Sequence, residues 1–284
     1  MKIEFLGTGG AMPVPRPLCK CRVCVEARIK GIPYSRSGPS LFVHGPNILI
    51  DTSEDIYSQI NRSTIEEIDG VFYSHWHPDH VMGRRVLESI NADWVNNPPE
   101  NSQSDVYLPE QVAVDVKRFL GTADHMAFFS GQGYIQLHEL KDGESVMKNN
   151  TKITPFRLAE DYVYGFLLTS TDKRVLIVMD ELNNWNPSEE LGEIDLAILP
   201  IGIFDVHPLT GERLLSSDHP VLNEECTFNE TLDILKKLNP KKTIFTHIEE
   251  VDGLSFDDLL EVEKQLTKEG LVVKIAYDTL MVEV

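Results

Sequence analysis

Positive charge is scarce in this 284-residue chain: 26 lysines and arginines stand against 45 aspartates and glutamates, a formal net charge of −19. So acidic a surface repels a phosphate backbone at long range, which counts against nucleic acid as the main partner. No stretch approaches the roughly 20 apolar residues that a helix needs to cross a bilayer, so no membrane partner is expected. The opening Met1-Lys2-Ile3-Glu4-Phe5-Leu6 runs into Gly7-Thr8-Gly9-Gly10 without a long apolar segment, so no secretory leader is expected and a cytoplasmic location is. Cysteine is rare, four in all, yet three of them crowd into Cys19-Lys20-Cys21-Arg22-Val23-Cys24. In a reducing compartment that crowding suggests a metal rather than disulfides. Internal repeats and low-complexity segments are absent from the sequence. The glycine-rich opening lacks the lysine of a phosphate-binding loop and the helix start of a dinucleotide site, so it reads as a tight turn that lets backbone approach a neighbouring group.

What is present is an ordinary globular balance, long enough to bury one sizeable core, and a single domain over residues 1–284 is expected. Short apolar runs predict strands at 2–6, 40–43, 47–50, 70–74, 105–108, 153–156, 164–170, 174–179, 195–200, 242–246, 272–277 and 281–284. Helical spacing falls at 81–90, 110–120, 227–238 and 256–268. Residues 93–104 read as a polar surface loop, and 202–225 as a long polar excursion. Strands dominating both halves, with helices interspersed, fit an α+β arrangement of two packed sheets with helices outside.

The densest chemistry is His75-Trp76-His77-Pro78-Asp79-His80, directly after the apolar strand 70–74. Imidazoles and a carboxylate are ligands that divalent zinc, iron and manganese accept. Alternation along extended chain sends His75 and His77 to one side, while Asp79 and His80 can turn back toward a second metal.

This His-x-His-x-Asp-His run resembles the signature of the metallo-β-lactamase superfamily. Leu6-Gly7-Thr8-Gly9-Gly10 and the strand-end residues Asp51, Asp180 and His247 follow the family's order over nearly the whole chain. The CxCxxC cluster is similar to the branch that holds the cyclic phosphodiesterase of phosphonate breakdown and the pyrroloquinoline-quinone biosynthesis protein B. The resemblance implies a four-layer αββα sandwich and two divalent active-site metals (zinc, manganese or iron). His75 and His77 would bind the first metal, Asp79, His80 and His247 the second, and Asp180 would bridge them, with Asp79 counted also as catalytic. Asp51 would orient a ligand from behind.

Two positions depart from the family pattern. A further first-metal histidine is expected just before the strand of Tyr164-Gly165-Phe166, where this chain has Leu158-Ala159-Glu160-Asp161; Glu160, or else Asp161, is the substitute. A catalytic histidine is expected three residues after the last metal histidine, where this chain has Glu250, so the general acid is Glu250 or a histidine from elsewhere such as His207.

The three clustered cysteines supply most of a tetrahedral structural zinc site. The fourth ligand is expected to be Cys226, with His219 as competitor; the related branch has a histidine near Cys226, where this chain has Glu225. His44, His125 and His138 read as surface residues. Trp76, Trp94 and Trp185 could line a pocket or pack in the core.

The expected reaction is hydrolysis of a small, possibly cyclic, phosphodiester by water acidified between two metals, with no organic cofactor. The competing readings are hydrolysis of a lactone or thioester or RNA 3′ processing on the same site, and a non-catalytic accessory protein with a degenerate metal site. A small molecule is the expected partner, and a homodimer is left open.

Overall fold

The computed structural model describes residues 1–96, 100 and 103–284. Of the surface loop expected at 93–104, residues 97–99 and 101–102 lie outside the described residues, and Ser104 already belongs to a strand.

The chain builds fourteen strands among the described residues. β1 (Lys2–Gly7), β2 (Ser40–His44), β3 (Ile48–Ile50), β4 (Gly70–Phe72), β5 (Ser104–Pro109) and β6 (Ile135–Leu140) make the first sheet. β7 (Val146–Lys148), β8 (Thr151–Arg157), β9 (Tyr164–Thr169), β10 (Arg174–Ile177), β11 (Leu196–Pro200), β12 (Thr243–Thr246) and β13 (Val273–Ile275) make the second. The last strand, β14 (Met281–Glu283), returns to the first sheet and pairs antiparallel with β1. Both sheets are mixed. β3 to β6 run parallel in the first, and β10 to β13 run parallel in the second.

Period-two alternation explains the layers. Ile3, Leu41, Val43, Ile48, Ile50 and Phe72 of the first sheet meet Ile153, Phe166, Val175, Ile177 and Ile198 of the second in one buried cluster between the sheets. Their strand neighbours Phe42, Leu49 and Val71 face the opposite way, onto Val112, Val116, Met126 and Phe129 of the helices Glu110–Leu120 and Ala123–Gly131. On the far side, Leu176, Ala197 and Leu199 pack onto Ile234, Leu235, Leu259 and Val262 of the helices Phe228–Leu238 and Phe256–Lys268. Three cores between four layers give the αββα sandwich.

The helices Glu110–Leu120 and Phe256–Lys268 match the sequence expectation at both ends; Ser255 opens the latter with a capping box. The helix expected at 81–90 is instead Pro78–Val81, a 3-10 turn Met82–Arg85, and Val86–Asn91. Gly83 explains the interruption: a Cβ there would lie 1.9 Å from the Ser53 carbonyl oxygen, so the chain tightens to pass that backbone. The helix Arg22–Lys30 was not expected; it begins inside the cysteine cluster, where Cys21 caps it by accepting from the Cys24 N–H.

Asp278, 1% exposed, ties the last turn to the loops beneath the site. It accepts from Ser37 N (2.9 Å) and Oγ (2.6 Å) and from Thr8 N (3.0 Å) and Oγ1 (2.8 Å), and it pairs with Arg62 at 2.6 Å. Thr8 in turn accepts, through its carbonyl, from Ile248 N at 2.9 Å, next to His247. Asp278→Ala should strand these donors and cost about 3 kcal/mol of stability, read as a lowered urea midpoint. A midpoint equal to the parent's would remove Asp278 from this role.

Candidate metal centre

The parallel strands deliver the site at their carboxyl ends. Asp51 follows β3, Ser74-His75 follow β4, Asp180 lies just past β10, and His247 follows β12. Asp51 and His247 hold left-handed backbone at φ 60° and 54°, and Glu181 does so at φ 59°. Non-glycine residues adopt that conformation at a cost of about 1–2 kcal/mol, which the surrounding packing has to offset. The conformation ends each strand direction abruptly and aims the side chain into the seam between the sheets.

Asp51, fully buried, holds two histidines from behind. Its Oδ2 lies 2.7 Å from His80 Nδ1 and accepts from Ser74 Oγ at 2.7 Å, and that hydroxyl lies 3.0 Å from His75 Nδ1. Both imidazoles therefore present Nε2 to the seam. Asp180 Oδ2 is the common neighbour there, at 3.7 Å from His75 Nε2, 3.6 Å from His80 Nε2 and 3.3 Å from His247 Nε2. Asp79 Oδ2 lies 3.3 Å from His80 Nε2 and 3.8 Å from His247 Nε2. Two ligand groups result: His75, His77, Asp180 and Glu181, and beside them Asp79, His80 and His247.

Above these groups opens a cavity of about 790 Å³, which His77, Asp79, Asp180, Glu181 and His247 line from below.

A sequence model of the β-lactamase superfamily domain matches residues 46–248. The chain is a member of the metallo-β-lactamase superfamily. Among curated proteins it is 28% identical over 204 residues to a ribonuclease Z from Archaeoglobus fulgidus, an alignment covering 67% of this chain and 53% of the relative, so the superfamily member spans about half the length of the curated relative it matches. A diphosphatase of the PhnP family superposes with a TM-score of 0.72 at 23% identity, covering 100% of this chain and 98% of the other. Zinc-bound PqqB from Methylobacterium extorquens gives 0.71 at 15% identity, with full cover of both chains. At these identities the two structures show a shared fold.

This fold implies divalent metal binding, and the residues fit it. His75 Nε2, Asp79 Oδ2, His80 Nε2 and His247 Nε2 are buried and have no hydrogen-bond partner among the described residues, yet all point into one seam. Groups so buried normally cost free energy unless a partner satisfies them. The protein field asks for positive charge at the same place. Burial pulls the His247 imidazole down, but the Asp180 charge and the Asp79 carboxylate together outweigh it and push it up to about 9. His75, by contrast, is held well below the usual range by burial, which favours the neutral imidazole that binds metal.

The structure brings His75, His77, Asp79, His80, Asp180 and His247 together, but it does not bring Glu160 to them. Leu158 and Val163 are both buried and close the β8–β9 turn by the Leu158 N–Val163 O bond (2.9 Å), which leaves Ala159 and Asp161 exposed and Glu160 half-buried, near enough for its charge to act on Glu181 but outside both ligand groups. Tyr162 turns back instead, its ring 5.6 Å from that of His77, and Asp161 is exposed. The carboxylate beside the first pair of histidines is Glu181, with Oε1 3.6 Å from His77 Nδ1. Sequence reading passed over Glu181 because it follows Asp180 directly, and only the left-handed turn sends consecutive side chains into one group.

Glu250 is not placed as a general acid. Its Oε1 lies 3.0 Å from Cys19 Sγ, 3.0 Å from Cys21 Sγ and 3.6 Å from Cys24 Sγ, and it pairs with Arg16 at 3.3 Å. It thus takes the fourth place expected for Cys226 or His219. Cys226 sits in the outer core beside Thr231 (3.5 Å), and His219 caps a 3-10 turn, accepting from Val221 N. His207 is engaged in its own turn, accepting from Leu209 N and Thr210 N, and is not among the described residues lining the cavity. Among the carboxyl groups that do line it, one not foreseen there is Glu225, which burial and then the Asp180 charge push up to about 7.

Gly10 explains the glycine-rich opening: a Cβ there would lie 2.4 Å from His247 Cε1 and 2.6 Å from Glu249 Oε1. Gly10→Ala should therefore displace His247 and weaken divalent-metal affinity by about 10–100-fold, the range for disturbed ligand orientation. Titration against a chelator, with melting as a control, checks it; undiminished affinity would show that the close approach is incidental.

Proposed function

We propose that this superfamily member is a metal-dependent hydrolase that cleaves a small phosphodiester. The observation that carries the reading is the set of four partnerless ligand atoms gathered around Asp180, where Asp79, Asp180 and His247 open onto a cavity. The names of its relatives, a ribonuclease and a diphosphatase, point to bonds between phosphorus and oxygen. His75, His77 and Glu181 would hold one cation, Asp79, His80 and His247 another, and Asp180 would touch both. Two divalent cations held there would supply an acidified water and polarise the ester oxygen.

The chain's own residues do the rest. Asp51, directly and through Ser74, fixes the orientation of His80 and His75. Glu225, sharing the cavity, is held toward its protonated form by burial and would give that proton to the departing oxygen. Glu181 replaces an imidazole with a harder, anionic donor, which shifts preference from zinc toward manganese or iron. That extra negative charge also favours a second reading, hydrolysis of a neutral carboxylic ester or lactone.

Glu225 should matter in proportion to how badly the leaving group needs a proton. Glu225→Gln is expected to lower kcat/KM on a cyclic alkyl phosphodiester about a hundredfold, but on bis(p-nitrophenyl) phosphate less than about tenfold. Equal losses on both would reject the acid. A parent enzyme that cleaves lactones and neither diester would replace the phosphodiester reading with the second one.

Cys19, Cys21, Cys24 and Glu250 offer four ligands and leave no open position, so we assign them a structural zinc that binds the N-terminal loop to the turn after His247. Glu250→Ala should lose about one zinc per chain and melt several degrees lower. Reconstitution with manganese or iron(II) should restore more turnover than zinc while that one zinc stays bound. A variant with its full zinc content would disprove the assignment.

A further inference from the structure

Much of the wall above the ligands comes from residues 202–225, the segment that reads as polar in the sequence. Ile203, Phe204, Leu214, Leu215 and Val221 turn from it toward the cavity. Leu214 is 43% exposed and the lining residue Val251 52%, so these two face open space, while Phe204 is buried in the outer core. Glu225, Glu249 and Asp252 add carboxylates, and none of the described residues lining the cavity is a lysine or arginine. Arg16, near the rim residue Met12, is committed to Glu250.

We infer that the cavity takes a substrate with an apolar body that is neutral or cationic at the end remote from the scissile ester, and that it rejects polyanions. The inference rests on the hydrolase reading for the location of the ester and goes beyond it in naming the substrate class. A cavity of about 790 Å³ is the size of small-molecule sites. Apolar walls reward removal of apolar surface from water. A second anionic group would find no lysine or arginine in that wall to receive it, whereas an ammonium would find carboxyl oxygens as acceptors. Nucleotide chains and diphosphates therefore fit poorly here, although relatives carry the names ribonuclease and diphosphatase.

Binding of non-hydrolysable probes that share one head tests this apart from turnover. Metal-reconstituted protein would be titrated with phenyl methylphosphonate, its 4-aminomethyl analogue and its 4-carboxy analogue. The neutral and cationic probes should bind at least about tenfold more tightly than the anionic one, the scale of one like-charge encounter at a protein surface. Val251→Lys should narrow that gap, and Leu214→Ser should weaken the phenyl probe about fivefold by removing apolar contact. Equal or tighter binding of the carboxy probe, failure of all three to bind, or displacement of the phenyl probe by a short RNA would each overturn the inference. Probes that bind in the expected order while no ester is cleaved would instead sink the hydrolase reading and leave the cavity's selectivity standing.

Discussion

The organising constraint is electrostatic: Asp79, Asp180 and Glu181 meet four imidazoles in a buried seam where like charges this close do not coexist without cations. Burial alone would neutralise the carboxylates. It does push Glu181 up to about 8, but against burial the neighbouring histidines hold Asp79 far below the usual carboxylate range. That is a field arranged for positive charge, and the two sheets are held together by the apolar cluster beneath it. The ligand set and the sandwich are thus two aspects of one arrangement: parallel strands bring their ends to one edge, and the residues just past those ends supply the charges.

Precision comes from behind the ligands. Asp51 reaches His80 directly and His75 through the Ser74 hydroxyl, so one buried carboxylate sets the orientation of an imidazole in each ligand group. Gly10 passes against His247 on the other side, and Thr8, two residues earlier, is held by Asp278. The glycine-rich opening is therefore part of the metal centre's frame.

Carboxylates stand where the resemblance leads one to expect histidines. Glu181 sits beside His75 and His77, and Glu250 faces the three cysteines. Each exchange removes a neutral donor and adds negative charge, in a chain already strongly acidic. The cavity adds the acidic side chains of Glu225, Glu249 and Asp252, whose carboxyls burial pushes up, and no lysine or arginine among its described lining. Discrimination among substrates by charge follows from this set, because an apolar wall amplifies every unbalanced charge it encloses.

Some of this protein was legible in the chain alone. Four ligands within six residues, the alternation of the strands and the periodic helices Glu110–Leu120 and Phe256–Lys268 are local properties, and local spacing determines them. The helix Arg22–Lys30 was hidden because its first turn is the cysteine cluster, and the excursion 202–225 hid its apolar members among polar ones. Which carboxylate completes each cluster was decided only in three dimensions. Glu160 was the nearer guess in sequence, but a closed hairpin turn keeps it half-buried outside both ligand groups, while a left-handed backbone at Glu181 turns that side chain inward. Glu250 meets Cys19 across 231 positions of chain, and Glu225 reaches the cavity because the excursion folds back over the site. The physical reason is common to all three: a lone glutamate carries no periodicity, so its role is fixed by what the packed strands and turns place opposite it.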